Sequence, residues 1–555
     1  MTESPAVNCA AALVGALVRS GVRDFVLSPG SRSAPLALAV GRAELAGELS
    51  LHVLVDERAA GYFAIGLMRA GQRPVAVICT SGTAVANLHP AMVEASYSAL
   101  PLILLTADRP IESRGVGSPQ TIEQDDIFGP DARTMWDVPA PEYGDEAERA
   151  EWAALGVRAA ADASRLAGPV HLNLAFRAPL VGPPPEQERI EVELASINSD
   201  AEDAEPVATP PGTGLLLVGD LPPRARRFRV DILALAERLG WPIIAEPSAG
   251  LPPHANLVSH GPLLAGAEDW LEAHTPDLVL SIGRFGLSRS VNLLVQRTPL
   301  HWSVAVDDRF DAPDHLGTAE RILTRIPVAG TRAVADWLAG WRAADEVAEA
   351  ALGAVIADGP RRSGIAVTRQ LWHLLRPSDT VLLAASWPMR FVDSFASTPQ
   401  TQHVHANRGA NGIDGLVATT AGLARGRGTH VVGLLGDLAL WHDIGSLPRL
   451  HGMRTTLVVL DNDGGGIFSQ LEQAAPAYQD VYERVFGTPG QGDLAAAVSG
   501  FGIEVAQPQT ALEFADAYQG AAGQPRVLIV PTLPRSAEAA LAVKLQEHVA
   551  AALAG

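Results

Sequence analysis

Short apolar blocks alternate with helical patterns along most of the chain. The blocks Asp24–Ser28, Leu51–Asp56, Pro74–Thr80, Leu102–Ala107 and Val170–Ala175 read as strands. Each is a brief continuous apolar run bounded by turn residues. Helical periodicity lies between them, as in Ala59–Arg69 and Ala84–Ser98. Strands that are apolar throughout and separated by helices predict a parallel sheet covered on both faces. Ala10–Val18 is also apolar, but Glu3 precedes it and no basic stretch does, so it reads as a helix and not a signal peptide.

The same alternation returns twice. A middle block carries Leu215–Val218, Pro242–Ala245, Leu278–Ile282 and Trp302–Val306; a third carries Thr380–Ala385, His430–Leu435, Thr456–Leu460 and Val527–Val530. Between the first two, Pro183-Pro184-Pro185, the acidic Asp200–Glu205 and Pro210-Pro211 cannot build a core. Asp358-Gly359-Pro360 precedes the third block. The expected division is therefore residues 1–182, a linker at 183–213, a central α/β domain at 214–345 and a last domain at 346–555. The fold class is α/β, with three doubly wound parallel-sheet domains.

Composition narrows the chemistry. The 555 residues exceed what one core holds, and 47% hydrophobic with 19% charged describes a globular chain. A formal charge of −20 opposes binding to nucleic acid or anionic lipid. Anionic substrates would need local arginines to overcome that field. Lys544 is the lone lysine among 42 cationic side chains. That excludes a Walker A lysine, a pyridoxal Schiff base and a kinase-type lysine. Cys9 and Cys79 lie in apolar surroundings, which fits a reducing cytoplasm and excludes a disulfide scaffold. No apolar run approaches the roughly 18 residues of a membrane span.

Polar residues gather directly after the expected strands: Ser28-Pro29-Gly30-Ser31-Arg32, Asp56-Glu57, Thr80-Ser81-Gly82, Asp108-Arg109, Gly436-Asp437 and Asp461-Asn462. Ligands of open parallel sheets bind outside the carboxyl ends of strands. The concentration in the first and third blocks suggests that they share a site. The middle block shows less, mainly Gly283-Arg284 and Ser288-Arg289.

Two stretches are the most specific. Glu57 is followed nine positions on by Gly66 and twelve on by Arg69; Gly436-Asp437 is answered 25 positions after Asp437 by Asn462, then Asp463-Gly464-Gly465-Gly466-Ile467-Phe468. With these, the chain resembles thiamine-diphosphate enzymes of the decarboxylase/carboligase superfamily over essentially its full length. The resemblance implies that Glu57 hydrogen-bonds the pyrimidine N1′ and favours the imino tautomer, its apolar helix raising the carboxyl pKa. It implies a Mg²⁺ (or Mn²⁺) ion held by Asp437, Asn462 and the Gly464 carbonyl, since hard cations take oxygen ligands. Gly436, Leu438, Gly465 and Ile467 complete the cofactor set. Ile467 reads as a wedge under the cofactor, with a plain core residue as the alternative. Two positions depart from the family pattern: Leu438 stands where Gly-Asp-Gly is usual, and Asp461 where Asn-Asn is usual. Neither removes a ligand. In the family the two cofactor halves come from different subunits, which implies at least a homodimer and allows a homotetramer.

Four further segments, 28–36, 80–88, 105–110 and Asn407-Arg408-Gly409-Ala410-Asn411-Gly412-Ile413-Asp414-Gly415, resemble one branch of the superfamily. Its members join 2-oxoglutarate and isochorismate in menaquinone biosynthesis. On that pattern Arg32, Arg109, Arg390 and Arg408 match substrate-site arginines, with Arg390 and Arg408 closest to the reaction. Ser31, Gln120 and Ser386 are polar neighbours, Phe468 and Leu471 an apolar wall, and Arg289 the central block's contribution. Arginine forks pair bidentately with carboxylates. Pro119 stands where some members have Asn, so one hydrogen bond would be missing. Each arginine also reads as a surface or interface salt bridge, Arg289 most readily. Other readings are a different 2-oxoacid decarboxylase or a noncatalytic cofactor-binding protein. A dinucleotide oxidoreductase would need a G-x-G-x-x-G after a strand, which the chain lacks.

Overall fold

The computed structural model describes residues 4–183, 207–306, 313–358, 362–398, 400–520 and 523–555. Most of the expected linker at 183–213, the acidic Asp200–Glu205 included, and Gly359-Pro360 lie outside them.

The chain forms two compact units. The first comprises Met1–Glu202 with Arg408–Arg427, the second Asp203–Asn407 with Gly428–Gly555. In the first, β1 (Asp24–Leu27), β2 (Ser50–Val53), β3 (Val75–Cys79), β4 (Leu102–Asp108), β5 (Thr134–Val138) and β6 (Val170–Ala175) pair in the order β2-β1-β3-β4-β6-β5. In the second, β7 (Gly214–Val218), β8 (Ile243–Ala245), β9 (Leu278–Ile282), β10 (Leu300–Val304) and β11 (Arg321–Leu323) pair as β11-β10-β9-β7-β8. Also in the second, β12 (Thr380–Leu383), β13 (Val404–Ala406), β14 (Val431–Gly436), β15 (Thr455–Asp461), β16 (Glu504–Ala506) and β17 (Arg526–Pro531) pair as β13-β12-β14-β15-β17-β16. Every pairing within these sheets is parallel. The three expected α/β sheets are present. Each gains edge strands the apolar blocks did not announce.

The strand orders reverse between β1 and β3, β7 and β9, and β12 and β14, the places where such sheets open a crevice. At the middle switch point the loops after β7 and β9 are bridged through their backbones. Asp220 N–H donates to Arg284 O at 2.7 Å and Arg284 N–H returns to Asp220 O at 3.1 Å. The two side chains pair at 2.9 Å, and a Cβ on Gly219 would lie 2.2 Å from the Arg284 carbonyl. Arg284 is thus a structural ion pair.

In the first unit, helix Glu57–Gly71 packs against helix Leu416–Arg427. The helices touch backbone to backbone. A Cβ on Gly66 would lie 2.3 Å from Thr419 O, and one on Gly422 2.1 Å from Phe63 O. Residues Ala59–Arg69 of the first helix are all buried. Asp56 caps it, accepting the Ala59 N–H at 3.1 Å.

Gly66→Ala should therefore destabilise the protein by about 1–3 kcal/mol, because backbone must move. Gly41→Ala, in helix Ala34–Leu45 with nothing within 4 Å of the new methyl, should be neutral or stabilising by up to ~1 kcal/mol. Denaturant midpoints of the two variants provide the comparison.

Candidate active site

The first unit presents Ser31, Arg32, Arg109 and Gln120 on loops that follow β1 and β4. Arg32 Nη1 donates to Phe176 O at 2.7 Å, while its buried Nε has no partner. Arg109 Nη2 donates to Pro119 O at 3.0 Å, and its Nε is likewise buried and unsatisfied. Ser28 Oγ and Thr80 Oγ1, at the ends of β1 and β3, are two more unpartnered buried atoms. Leaving such groups unpaired costs free energy that a bound ligand can recover. Ser31 is exposed.

Gln120, at φ +55°, is tied to Ser81 by two bonds: Nε2 to Ser81 O at 3.1 Å, and Ser81 Oγ to Gln120 O at 2.8 Å. Beneath lies a polar network with no signal in the sequence. Fully buried Gln124 accepts the Gly82 N–H at 2.9 Å and donates to Asn173 Oδ1 at 2.8 Å. Asn173 Nδ2 donates to Asp108 at 2.9 Å, and Arg114 pairs with the same carboxylate at 3.1 Å. Burial raises the Asp108 pKa despite these partners. Thr106 Oγ1 lies 2.7 Å from His171 Nε2. Burial pushes His171 down to about 4.

Glu57 sits half-buried in the first turn of its helix. Burial, followed by the nearby Glu57 charge, pushes the Cys79 thiol up, so Cys79 is an inert core thiol. Arg408 is half-buried and opens the segment that leads to helix Leu416–Arg427.

The second unit carries the other set. β14 and β15 run side by side with Gly436 level with Leu460, so Asp437 and Asn462 emerge from adjacent strand ends. Asp437 Oδ2 accepts the Gly464 N–H at 2.7 Å. Burial, with the Asp461 charge adding to it, pushes the Asp437 carboxyl up to about 7. Leu438 N–H donates to the same side chain. Asn462 Oδ1 is buried with no hydrogen-bond partner. A buried carboxyl and an orphaned amide oxygen at adjacent strand ends fit a hard cation. Among the described residues no three His, Cys, Asp or Glu side chains gather as a metal cluster, so any ligand set here mixes carboxylate, amide and carbonyl.

Neighbours hold the loop tightly. Gly464 has φ +127°, and a Cβ there would lie 1.9 Å from Gly487 O. Gly465 N–H donates to that same oxygen at 2.8 Å. Arg535 reaches Asp463 O and Glu483. A Cβ on Gly466 would strike the Trp387 ring at 2.5 Å, and Trp387 Nε1 donates to Gln470 at 3.3 Å. Trp387 thereby brings Ser386 and Arg390 toward this loop. Ser386, at φ +74°, is the strained residue at the end of β12. Arg390 Nη1 donates to its carbonyl at 3.3 Å. Ile467 packs against the core, the Phe468 ring lies tilted against Phe486 with centroids 5.4 Å apart, and Leu471 is 46% exposed. Arg289 opens helix Arg289–Arg297 and lines, with Asp461, Asn462 and Gln470, a cleft of about 1280 Å³. Trp387, Gln470 and Arg535 were not expected. Only Trp387 had a local signal, its place directly after a strand.

Residues 7–127 match the family model described as thiamine pyrophosphate enzyme, N-terminal TPP binding domain. The chain is 38% identical to the 2-succinyl-5-enolpyruvyl-6-hydroxy-3-cyclohexene-1-carboxylate synthase of Thermobifida fusca, over 99% of this chain and 100% of that one. Synthases of the same name from Saccharopolyspora erythraea (38%, 90% of this chain, 91% of that one) and Kineococcus radiotolerans (40%, 92% and 93%) match similarly. The chain belongs to this synthase family. It is a thiamine-diphosphate-dependent transferase, and the superfamily resemblance and the three-sheet α/β fold stand. In the helix that begins with Glu57, Gly66 lets two helices touch, and Arg69 is buried against Glu94 at 3.1 Å.

His171 sets a pH dependence. Its folded pKa lies below the ordinary 6.5, so it stabilises the fold above about 6.5, and that contribution is lost as pH falls toward 4. Wild type should lose on the order of 3 kcal/mol more than His171→Asn between pH 7 and pH 4. Denaturant titrations across that range read the difference.

Proposed function

We propose that the protein decarboxylates 2-oxoglutarate and adds the succinyl carbanion equivalent to isochorismate in a 1,4 sense, releasing CO₂. The product is 2-succinyl-5-enolpyruvyl-6-hydroxy-3-cyclohexene-1-carboxylate, in menaquinone biosynthesis. The observation that carries the reading is the pairing of two half-sites in one chain. Glu57 stands at the head of a buried helix, and Asp437, after β14, bonds the braced loop after β15 that carries Asn462 and Gly464. Bound thiamine diphosphate supplies the electron sink for the carbanion equivalent.

The chain's residues do the rest. Glu57 holds or shares the proton at the pyrimidine N1′. Asp437, Asn462 and the Gly464 carbonyl hold Mg²⁺ or Mn²⁺, while Gly436, Leu438, Gly465 and Ile467 shape the diphosphate cradle. Arg32, Arg109, Arg390 and Arg408 pair with substrate carboxylates, with Ser31, Gln120 and Ser386 as hydrogen-bonding neighbours. Four unpartnered buried atoms at the β1, β3 and β4 ends support that assignment for the first unit. Phe468 and Leu471 face the ring, and Arg289 approaches from its cleft. The protein works in the cytoplasm as a homodimer or homotetramer, with domains at 1–182, 214–345 and 346–555. No helix among the described residues is long and apolar enough to cross a membrane.

Glu57→Gln should keep thiamine diphosphate affinity within about threefold and lose at least ~10²-fold in turnover, the span of general acid–base catalysis. Isochorismate consumption and calorimetry read the two numbers; near-normal turnover would refute the tautomer role. Asp437→Ala should weaken cofactor and Mg²⁺ binding together, and unaltered affinities would refute the metal assignment.

A further inference from the structure

Arg408 lies on a segment anchored by one buried carboxylate. Glu94, in helix His89–Tyr97, is 1% exposed. Its Oε1 accepts the Gly409 N–H at 3.0 Å, and its Oε2 the Ala410 N–H at 2.8 Å. The same side chain takes Arg69 Nη2 at 3.1 Å and Ser98 Oγ at 2.7 Å, and Arg69 Nη2 also donates to Ser98 Oγ at 3.0 Å. Both ends of the ion pair are almost fully shielded, 3% and 2% exposed. Taking two charges out of water is expensive, and replacing such a pair by apolar side chains is often neutral or stabilising. The pair's distinctive product here is geometry: two consecutive peptide N–H groups immediately after Arg408 are fixed on one carboxylate.

The local sequence accommodates this clamp. A Cβ on Gly409 would lie 2.5 Å from Glu94 O and 2.9 Å from its Oε2, so only glycine lets the segment approach. At the far end of the segment Tyr62 OH donates to Asp414, and a Cβ on Gly415 would lie 1.9 Å from the Tyr62 ring. Tyr62 and Arg69 belong to the helix that begins with Glu57. The segment is therefore pinned at both ends to the scaffold that presents the catalytic glutamate.

We infer that Glu94 is a positioning residue for the reaction: its carboxylate, held by Arg69 and Ser98, sets the backbone from which Arg408 reaches a substrate carboxylate. The inference rests on the role proposed above for Arg408. Glu94 itself is shielded and acts only through that backbone. Glu94→Gln keeps the volume but replaces one acceptor oxygen with an NH₂ that faces N–H donors, so one of the two anchoring bonds is lost.

The test uses the full chain with thiamine diphosphate, Mg²⁺ and both acids. Steady-state kinetics are measured for wild type, Arg408→Ala, Glu94→Gln and the double variant, with cofactor affinity by calorimetry. Glu94→Gln should raise KM roughly tenfold for the same acid whose KM Arg408→Ala raises, the size of one lost charged hydrogen bond. The other acid's KM and the cofactor affinity should stay within about twofold. The double variant should be no more than about twofold worse than Arg408→Ala, since positioning an absent side chain has no value. Ser98→Ala, which keeps the ion pair, should shift the same KM by about twofold to threefold and serves if Glu94→Gln does not fold. Multiplicative losses in the double variant, or an equal decline for both acids and the cofactor, would overturn the inference. Unchanged KM values for both acids in Arg408→Ala would overturn it through its premise, and that single variant reports the premise separately.

Discussion

Parallel pairing governs where the chemistry of this chain can sit. When every strand of a sheet runs the same way, all carboxyl ends open on one edge, and the residues just beyond them meet there. Ser28–Arg32, Thr80–Gly82 and Arg109 share such an edge in the first unit; Ser386, Asp437 and Asn462 share one in the second. The buried strands can then be uniformly apolar and leave the chemistry to the loops. The middle sheet follows the same rule with the opposite outcome. Its switch point is bridged by the reciprocal Asp220–Arg284 backbone bonds, so Arg284 serves there as a structural tie.

Glycine decides how closely these parts approach. Gly66 and Gly422 let two helices touch along their backbones, and Gly464 and Gly466 press the loop after β15 against Gly487 and Trp387. The result is a loop whose Asn462 oxygen is buried and unpartnered, beside an Asp437 carboxyl that is shielded and takes only backbone N–H donors. Burial drives Asp437 toward neutrality at about 7, an unfavourable position for an acid unless a cation is bound beside it. The chain's net charge of −20 adds to the demand for local positive charge, which arginine, always protonated, supplies on both units.

Much of this was legible in the sequence. Central strands were, because they are continuous apolar runs: Val170–Ala175 and Leu278–Ile282 match to the residue. The edge strands β5, β11, β13 and β16 were not. They are short, and several carry half-exposed or charged residues, so no apolar block marks them. The pattern over Ala84–Ser98 is two helices, Thr83–Asn87 and His89–Tyr97, and Pro90 was the overlooked signal for the break. Glu57, Asp437 and Asn462 were visible because their spacings are local. Gln124, Asn173 and Arg535 were not, because each acquires its partners only when distant segments fold together. Glu94 illustrates the point: alone it is a helix glutamate, and only the segment more than 300 residues later, at Gly409 and Ala410, reveals what it holds.

The most direct test of the central claim is reconstitution by omission. Purified protein is mixed with thiamine diphosphate, Mg²⁺, 2-oxoglutarate and isochorismate, and isochorismate loss and product mass are followed as each component is left out in turn. The account predicts consumption only when all four are present, with the mass of a succinyl adduct and release of CO₂. Loss of 2-oxoglutarate without isochorismate, or no turnover by protein that binds the cofactor, would contradict it.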